Sequence, residues 1–496
     1  MESSLQAAPQ RYKQAKAWTP TNMSRPATLT EGPIASTLLR LAAPIIGANM
    51  LQVGYQITDT FWVGRLSTQA VAAVAICFPI NFLMIAIGGG LPIAGTVLIA
   101  QYKGRGDREA MGHVAAQTLV MVLGVAIILS VTGYLLAEPI VRLMGAEAEV
   151  IPDAVRFLQI TFLGFFFVFG FFVYQSLMRG IGIAYPPMFI VLVTVLLNFA
   201  LDPLFIFGYG PIPPMGVAGA AMATVCTQAL ATAIGFGLLL GGRHDIRIRW
   251  SNFRLDLPLI ARSFQLGLPT SVEQSSRAMG MTMMTVLASH FGTVTVAAYG
   301  TGTRVLACVI IPALGLSMAV SALVAQNIGA GRIDRAERTS QIGAALAFTA
   351  LLIPGLALFI FARPLVSSFI PGAGEEAINQ CVAFIRTMAF TFGFIGVQQV
   401  IAGTLRGAGN TLAAMMLAIT TQWVFQFPLA YFLSQRTTLG VTGIWWAVAV
   451  ANILAAFVAV IWFLRGDWKQ RRLIDDIELQ RQVEAEIAVD EGLPPT

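Results

Sequence analysis

The sequence predicts an all-α integral membrane protein with twelve transmembrane helices, arranged as two six-helix lobes that are related by an internal duplication. Three observations predict this fold: the composition, the number of long apolar segments, and a pattern repeated in the two halves of the chain. Of the 496 residues, 56% are hydrophobic and 11% are charged, whereas soluble domains average about 25% charged residues. So few charges cannot cover a soluble surface of this size, and most of the chain is expected to lie in lipid.

Twelve apolar segments are long enough to cross a bilayer, which takes about 20 residues in a helix. They fall near residues 37–62, 71–98, 112–136, 155–178, 186–208, 217–240, 259–287, 295–325, 340–362, 379–404, 411–433 and 441–464. We number these predicted spans 1 to 12 in chain order. An even number of spans places both ends of the chain on the same side of the membrane.

Basic residues concentrate in alternate connectors. Lys103, Arg105 and Arg108 follow span 2, and Arg179 follows span 4, whereas the connector 208–216 carries no charge. Cytoplasmic loops carry an excess of Lys and Arg, so the basic connectors are expected to face the cytoplasm. The net charge of +6 is thus explained by topology, and no nucleic-acid partner is expected. The sequence predicts a multi-pass protein of the cytoplasmic (inner) membrane with both termini in the cytoplasm.

The spans and connectors divide the chain into five regions. The longest polar connector, 241–256, separates six spans from six and is expected to be cytoplasmic. The other regions are a cytoplasmic N-terminal segment at 1–34, an N-lobe with spans 1–6 at 35–240, a C-lobe with spans 7–12 at 257–464, and a cytoplasmic tail at 465–496.

The two halves share a sequence pattern at a nearly constant offset. Gln101 in LIAQYKGRG matches Gln326 in LVAQNIGAG. After a two-residue insertion the register resumes, so LMRGIG around Arg179 matches LRGAG around Arg406. Internal repeats of this kind are typical of transporters in which two helical bundles rock about a site that lies between them.

Span 1 carries a carboxylate inside its apolar segment. An intramembrane Asp costs roughly 3 kcal/mol on insertion scales, so it is a functional candidate by default. Asp59 continues a polar stripe with Asn49, Gln52 and Gln56, whose spacings of 3, 4 and 3 put all four on one helix face. The stripe predicts that Asp59 faces the protein interior as a coupling residue. The alternative is a structural acid that caps a helix or forms an ion pair near the interface.

A second polar pair lies in span 5. Asn198 and Asp202 are four residues apart and share a helix face, so their oxygens could join Asp59 around one hard cation. At the corresponding positions of the second half the chain has Met284, Phe425 and Leu429. A polar site present in one half argues for a specialised cation site in the N-lobe. The alternative for Asp202 is a cap at a helix end beside Pro203.

Spans 1 and 7, which correspond in the repeat, carry further candidates. In span 7, Arg277 follows Glu273 by one turn, in the order that favours an intrahelical ion pair. Glu273 is therefore either a second coupling group or the partner of that arginine. Pro44 in span 1 and Pro269 in span 7 match each other. Proline removes a backbone hydrogen bond and kinks a helix, so both are candidate hinges.

Several motifs occur in order along the two halves: LAAPIIGANMLQVGYQITDTFWVGRLSTQAVAAVA, the turns at Arg179 and Arg406, NFALDPLFIFG, and ALVAQNIGAGRIDRAER. Together they resemble the MATE family, the multidrug and toxic compound extrusion transporters. The resemblance runs from about residue 35 to 465. It implies two six-helix lobes around a central cleft, and the export of amphipathic, often cationic, compounds in exchange for protons or sodium ions.

The resemblance also implies positions for a coupling site. In the family an acidic residue on the first span is joined by polar groups on spans 4, 5 and 6, and the matching positions are Asp59, Gln175, Asn198, Asp202 and Thr224. Gln175 stands where the family has Asn, so its amide has a longer arm. Glu273 matches an acid found in the C-lobe of some family branches. Apart from the coupling H⁺ or Na⁺, no cofactor and no tightly bound metal are expected, and the substrate-binding residues are unknown.

Three other functions fit parts of the same sequence. A flippase for lipid-linked oligosaccharide or peptidoglycan precursor shares the architecture but tends to line its cleft with Arg and Lys, and few such residues lie in spans here beyond Arg277, Arg304 and Arg386. An intramembrane enzyme needs a catalytic motif such as HExxH or GxSxG, which the sequence lacks. A channel fits the hydropathy, but paired lobes with an asymmetric acid site favour coupled transport. We therefore predict a monomeric cation-coupled antiporter, and no enzyme, that moves small molecules across the lipid bilayer by alternating access.

Overall fold

The computed structural model of the protein describes residues 29–242, 244–369, 374–470 and 473–474. The predicted N-terminal segment 1–34 and the predicted tail 465–496 lie mostly outside these residues. Within them the chain consists of α-helices joined by short connectors, as the apolar segments predict.

Fifteen α-helices follow one another in the described part of the chain. They are α1 (Ile34–Val63), α2 (Thr68–Gly89), α3 (Leu91–Arg105), α4 (Arg108–Leu143), α5 (Ile151–Gly180), α6 (Tyr185–Phe207), α7 (Val217–Leu240), α8 (Leu257–Ser289), α9 (Thr293–Gly329), α10 (Ile333–Phe369), α11 (Glu375–Ala389), α12 (Phe392–Gly407), α13 (Thr411–Ile419), α14 (Phe427–Gln435) and α15 (Val441–Arg465). A π-helical stretch, Thr420–Gln426, joins α13 to α14. Short 3-10 helices lie at Trp250–Phe253 and Asp467–Lys469.

Each predicted span coincides with one of these helices or with a broken helix. α2 and α3 form span 2, α11 and α12 form span 10 with a bend of 55° between them, and α13 to α14 form span 11. Among the described residues, ten helical segments are long and apolar enough to cross a membrane, and the bent pair makes eleven. The remaining span is α8, which has 33 residues and therefore the necessary length. It is less apolar because it carries Arg262, Glu273 and Arg277.

The two lobes are packed through corresponding helices. In the N-lobe, α1 packs on α6, and α5 packs on α3, α4 and α7. In the C-lobe, α8 packs on α13, and α12 packs on α9, α10 and α15. These helices occupy matching spans, so the repeated sequence pattern folds into a repeated packing pattern. The predicted two-lobe fold is confirmed.

Close packing in the N-lobe depends on glycines that receive aromatic rings of α5. A Cβ on Gly133 or on Gly88 would lie 2.2 Å from the ring of Phe162 or Phe169, respectively. Both rings are completely buried, and Phe165 lies between them with ring centroids 5.4 and 5.6 Å away. Replacement of either glycine would therefore push α4 or α2 away from α5.

The lobes meet where α1 and α3 pack on α9 and where α2 and α3 pack on α8. We call the end of the bundle that holds Ile34 the base and the opposite end the rim. At the base, a Cβ on Gly104 would lie 1.9 Å from the carbonyl oxygen of Gln326, and a Cβ on Gly329 would lie 1.9 Å from that of Gln101. The backbones of α3 and α9 therefore touch there, and the base is closed.

Candidate functional site

Three helices of the N-lobe bring Asp59, Asn198, Asp202 and Thr224 together near the rim. Asp59 lies on α1, Asn198 and Asp202 lie on consecutive turns of α6, and Thr224 lies on α7. The side chains of Asn198 and Asp202 are completely buried, whereas Asp59 is partly exposed. We call these four residues the acid cluster.

A chain of hydrogen bonds links the acid cluster. The Asn198 amide donates to Asp202 Oδ1 at 3.1 Å and to Thr224 Oγ1 at 3.4 Å. The Thr224 hydroxyl lies 3.4 Å from each carboxylate oxygen of Asp59, to which it donates. These separations are long for hydrogen bonds from a hydroxyl. The hydrogen bonds at the Thr224 hydroxyl are therefore the weakest of the cluster.

Oxygens without a donor remain in and beside the acid cluster. Asn198 Oδ1 and Asp202 Oδ2 are buried and have no hydrogen-bond partner among the described residues. The same holds for the hydroxyl of Tyr55, which lies one turn before Asp59 on α1. A buried polar atom without a partner costs about 1–3 kcal/mol. These oxygens therefore mark a place where a proton or a cation would be stabilised. Tyr55 was missed in the sequence, although its four-residue spacing from Asp59 puts the two on one face.

The chemistry of the cluster is that of two facing carboxylates with few donors. Asp59 and Asp202 interact with each other, and their other partners are the Asn198 amide and the Thr224 hydroxyl. Two carboxylates that interact this closely stay charged together only when a cation lies between them, and otherwise one of them takes up a proton. Among the described residues, no group of three or more His, Cys, Asp or Glu side chains could hold a metal ion. The donor set fits a proton or a monovalent hard cation.

Asp202 does not act as a helix cap. α6 continues to Phe207, and the Asp202 carboxylate accepts from Asn198, one turn earlier. Pro203 lies inside the helix. Because proline has no N–H, the carbonyl of Phe199 loses its helical donor beside the cluster, which adds one more available oxygen.

Gln175 lies away from the acid cluster. α5 and α7 run parallel and in register, with Gly164 against Val225 and Tyr174 against Gly235. Gln175 is therefore level with Phe236, near the end of α7 at the base and about 18 Å along the helix from the level of Thr224. The residue of α5 that is level with Thr224 is Leu163, whose side chain is apolar. Motif resemblance placed Gln175 on the correct helix but not at the correct height.

Glu273 lies in the C-lobe and is held by two arginines. Its completely buried carboxylate accepts from Arg277 Nη2 at 3.0 Å and from Arg406 Nη1 at 2.8 and 3.0 Å. The ion pair with Arg277 is the alternative that the spacing predicts. The second partner, which comes from α12, was not predicted. Both arginines also bind neutral groups, Arg277 at Gln399 Oε1 and Arg406 at Ser317 Oγ, each at 2.9 Å. The carboxylate oxygens of Glu273 are thus occupied, and Glu273 takes no part in the acid cluster.

Pro44 and Pro269 both lie inside helices, in α1 and α8. Each is two residues from a contact between the lobes. In the first contact, Ile46 of α1 packs against α9, where a Cβ on Gly315 would lie 2.4 Å from Ile46 Cγ1. In the second, α8 packs against α3, where a Cβ on Gly267 would lie 2.9 Å from the Cα of Leu91. A bend at either proline would therefore move one lobe against the other.

Arg179 and Arg406 line a cavity between the lobes. Arg179 lies in the last turn of α5 and Arg406 in the last turn of α12. Thr96 of α3 and Ser321 of α9 line the same cavity. The prediction that Arg179 belongs to a connector was wrong, because α5 extends to Gly180. The sequence contained evidence for a second role, because Arg179 and Arg406 occupy corresponding positions of the repeat. A basic residue that only sets the topology need not occur at the same position in both halves.

Two hydrogen bonds join the lobes at the base. Gln101 Nε2 donates to the carbonyl oxygen of Gly407 at 3.2 Å, and Gln326 Nε2 donates to that of Gly180 at 2.7 Å. In the repeat, Gln101 corresponds to Gln326 and Gly180 to Gly407, so each bond is the image of the other. Both glutamines are buried. We call this pair of bonds the base latch.

These features define a class of protein. Two duplicated lobes that meet around a cavity, are closed at one end and hold a buried acid cluster in one lobe form a polytopic membrane transporter. The chain belongs to the MatE family, whose sequence model matches residues 44–204 and 269–432. One matched segment falls in each lobe, in agreement with the duplication. The MATE resemblance of the motifs is therefore confirmed.

Known proteins resemble the chain over most of its length. The probable multidrug resistance protein YoeA of Bacillus subtilis (strain 168) is 27% identical over 434 residues, which cover 87% of this chain and 93% of that protein. An FAD transporter of Shewanella oneidensis is 25% identical over 430 residues, covering 86% of this chain and 93% of that one. A solved outward-facing structure of a multidrug resistance MATE family transporter of the MOP superfamily has a TM-score of 0.85 at 24% identity and covers 90% of this chain and 99% of that chain. This last likeness agrees with the fold.

Proposed function

We propose that the protein is a cation-coupled antiporter that exports amphipathic, often cationic, compounds by alternating access, with protons or sodium ions as the coupling cation. The observation that carries this proposal is the acid cluster, in which buried carboxylate and amide oxygens have no donor. An acid with a purely structural role inside a membrane protein is expected to be paired, as Glu273 is with its two arginines. The acid cluster instead has no basic side chain among its hydrogen-bond partners in the described part of the chain.

The residues of the acid cluster are arranged to take up and release such a cation. Asp59 is partly exposed, so a cation meets its carboxylate first, and the buried Asn198 and Asp202 lie behind it. A proton on either carboxylate would supply the donor that the pair lacks. A sodium ion would neutralise both carboxylates through their oxygens. The Thr224 hydroxyl, held only by long hydrogen bonds, can turn towards either arrangement.

Neutralisation of the acid cluster can act on the other lobe through α1. This helix carries Asp59 near the rim and contacts α9 of the C-lobe. Pro44 lies two residues from Ile46, at this contact, and leaves the carbonyl of Arg40 without its helical donor. A change of charge at Asp59 therefore acts on a helix that is able to bend at its lobe contact.

Alternating access is supported by the position of the base latch. The latch and the Gly104 and Gly329 contacts close the base, whereas the acid cluster lies at the rim. A hydrogen bond contributes about 1 kcal/mol net, so two such bonds can be broken by the binding of a cation or a substrate. Rocking of the lobes would open the base and close the rim.

The basic residues support the membrane orientation that we propose. Lys103, Arg105, Arg108, Arg332 and Arg335 all lie at the base, in the connectors that end α3 and begin α10. α1 begins and α15 ends at the base as well. The base would therefore face the cytoplasm, with both termini there, in the inner membrane. A single chain contains both lobes and the whole cavity, which favours function as a monomer.

The names of the relatives support export, but they do not agree on the compound. YoeA is called a probable multidrug resistance protein, which favours drugs as substrates of this chain. The Shewanella relative, of nearly equal identity, is called an FAD transporter. The substrate class of this chain therefore has to be measured.

The proposal is tested with purified protein in liposomes loaded with ethidium. We expect the wild-type protein to expel the dye under either an imposed proton gradient or an imposed sodium gradient, and the gradient that works identifies the coupling cation. Asp59→Asn should abolish the gradient-driven part because it keeps the shape but removes the charge. Asp153→Asn, which changes an exposed acid on α5, is the matched control. Coupled efflux by Asp59→Asn at the wild-type rate would exclude the acid cluster as the coupling site, and no efflux under either gradient would contradict the proposed function.

A further inference from the structure

The cavity between the lobes lies on the axis that relates the two halves of the duplication. Six of the residues that line it form three corresponding pairs, with one member from each lobe: Ile93 with Met318, Thr96 with Ser321, and Arg179 with Arg406. A ligand in this cavity would touch both lobes at once. Its binding would therefore depend on how the lobes are placed relative to each other.

The charges at and beside this cavity do not balance. Arg179, Arg277 and Arg406 contribute three guanidinium groups, and among the residues that the structure describes Glu273 is the only acid that pairs with any of them. Glu273 binds both Arg277 and Arg406. Arg179 forms no hydrogen bond or ion pair within the described part of the chain. Arg179 is partly exposed at the wall of the cavity, and an unpaired cationic group inside a membrane protein favours an anion beside it.

The repeat shows what Arg179 lacks. Its counterpart Arg406 is neutralised by Glu273, and the N-lobe residue that corresponds to Glu273 is Ala48. The duplication has thus kept both arginines but only one of the two acids. The missing carboxylate leaves Arg179 as a cation without a partner at the wall of the cavity.

Two hydroxyl groups of the cavity wall are also without partners. Thr270 Oγ1 and Ser321 Oγ are buried, and neither has a hydrogen-bond partner among the described residues. A guanidinium group and two hydroxyls supply several donors on one small surface. Guanidinium groups bind carboxylates and phosphates with two parallel hydrogen bonds, and hydroxyls add single bonds to the same oxygens.

We propose that this cavity binds an oxyanion group, a carboxylate or a phosphate, of the transported compound. Arg179 provides the counter-charge, and Thr270 and Ser321 provide further hydrogen bonds. The oxyanion forms an ion pair with Arg179, as Glu273 does with Arg406. The inference rests on the proposed export function and refines its substrate class: among the exported amphipathic compounds, those that also carry an oxyanion, such as zwitterions, are bound most tightly.

The test compares two dyes that differ only at one carboxylate. Rhodamine B has a free carboxylate, whereas its ethyl ester does not, and both have the same cationic ring system. Binding to the full-length protein in phosphatidylcholine nanodiscs is measured by fluorescence anisotropy. We expect the wild-type protein to bind rhodamine B about tenfold more tightly than the ester, as one charge-assisted hydrogen bond implies.

Variants at Arg179 assign the preference to this residue. Arg179→Gln should remove the preference, because the binding of rhodamine B weakens while the binding of the ester stays the same. Arg179→Lys should keep most of the preference. Arg156→Gln, an exposed position on the same helix, should behave as the wild type. Equal affinity of the wild type for both dyes, or a preference that survives in Arg179→Gln, would overturn the inference.

Two further measurements separate this inference from other outcomes. If phosphatidylglycerol in the nanodiscs displaces rhodamine B in an Arg179-dependent manner, the cavity holds a lipid headgroup, and the assignment to substrate is wrong. Ethidium has no carboxylate, so its gradient-driven efflux tests the proposed function separately. Efflux of ethidium without any Arg179-dependent dye preference would overturn the inference and leave the proposed function standing. An Arg179-dependent dye preference without ethidium efflux would contradict the proposed function, and the cavity would then bind an oxyanion that is not part of a transported compound.

Discussion

The two lobes share a fold but differ in the partners of their intramembrane acids. In the C-lobe, Glu273 is bound by two arginines through distances of 2.8 to 3.0 Å. In the N-lobe, Asp59 and Asp202 face each other and share one amide and one hydroxyl over longer distances. An acid that is paired with two arginines has its counter-charge supplied by the protein itself. A pair of acids depends on a mobile cation, and so the same scaffold holds a structural site in one lobe and an exchangeable site in the other.

The largest expected difference between the lobes concerns stability. Glu273→Gln leaves the buried guanidinium group of Arg406 and the partly exposed one of Arg277 without their carboxylate partner, which should cost about 3–5 kcal/mol. Asp202→Asn removes one of two repelling acids and should leave stability nearly unchanged. The loss of monodisperse protein on heating in detergent measures both. Equal losses of monodisperse protein in the two variants would show that the acid cluster contributes as much to stability as the Glu273 site does.

The second expected effect concerns coupling within the acid cluster. Asp202→Asn should lower gradient-driven ethidium efflux but not abolish it, because Asp59 still carries a charge that a cation can neutralise. Asp59→Asn should remove coupling completely. Efflux rates in liposomes, measured as a function of the concentration of the coupling cation, distinguish the two variants. A larger defect in Asp202→Asn would make the buried acid, and not the partly exposed one, the principal coupling group.

A smaller effect is expected at Thr224. Its hydroxyl makes only long hydrogen bonds, so Thr224→Ala should weaken the apparent affinity for the coupling cation by roughly threefold to tenfold. Thr224→Ser keeps the hydroxyl and serves as the control. If Thr224→Ala and Thr224→Ser shift the affinity equally, packing of the methyl group is responsible and the hydroxyl is not.

The smallest expected effect concerns the base latch, where the two lobes are alike. Gln101→Ala and Gln326→Ala each remove one of two corresponding hydrogen bonds, so each should favour opening of the base by about fivefold. The readout is the rate at which a membrane-impermeant maleimide labels Ser321→Cys from the base side, with the four native cysteines replaced by alanine. Clearly unequal rates in the two variants would show that the lobes do not close symmetrically.

The sequence was informative about everything that depends on local patterns. The spans follow from apolar length, the duplication follows from a constant offset, and Asp59, Asn198 and Asp202 follow from the cost of a polar group in lipid together with helical spacing. Thr224 was placed by family resemblance, and the structure brings it into the acid cluster. Apart from the duplication and Thr224, these features are set by residues within a few turns of one another.

What the sequence did not show depends on contacts between distant helices. Gln175 was assigned to the cluster because its helix was correct, but the height of α5 against α7 is set by Gly164 and Gly235. The pairing of Glu273 with Arg406 joins residues 133 positions apart. The position of Arg179 in the cavity wall likewise depends on how two lobes meet, and a hydropathy pattern contains no information about that contact.

The base latch has a consequence for the origin of the chain. In a symmetric homodimer, a residue of one subunit contacts its target in the partner, and the same residue of the partner contacts the same target in return. Gln101 with Gly407 and Gln326 with Gly180 follow this rule between the two halves of one polypeptide. An ancestral six-helix chain could have built the whole closure from a single glutamine and a single glycine carbonyl, used twice about a two-fold axis. The covalent connector 241–256 is then a later addition to an isologous dimer, and fusion is what allowed one half to lose an acid that the other half kept.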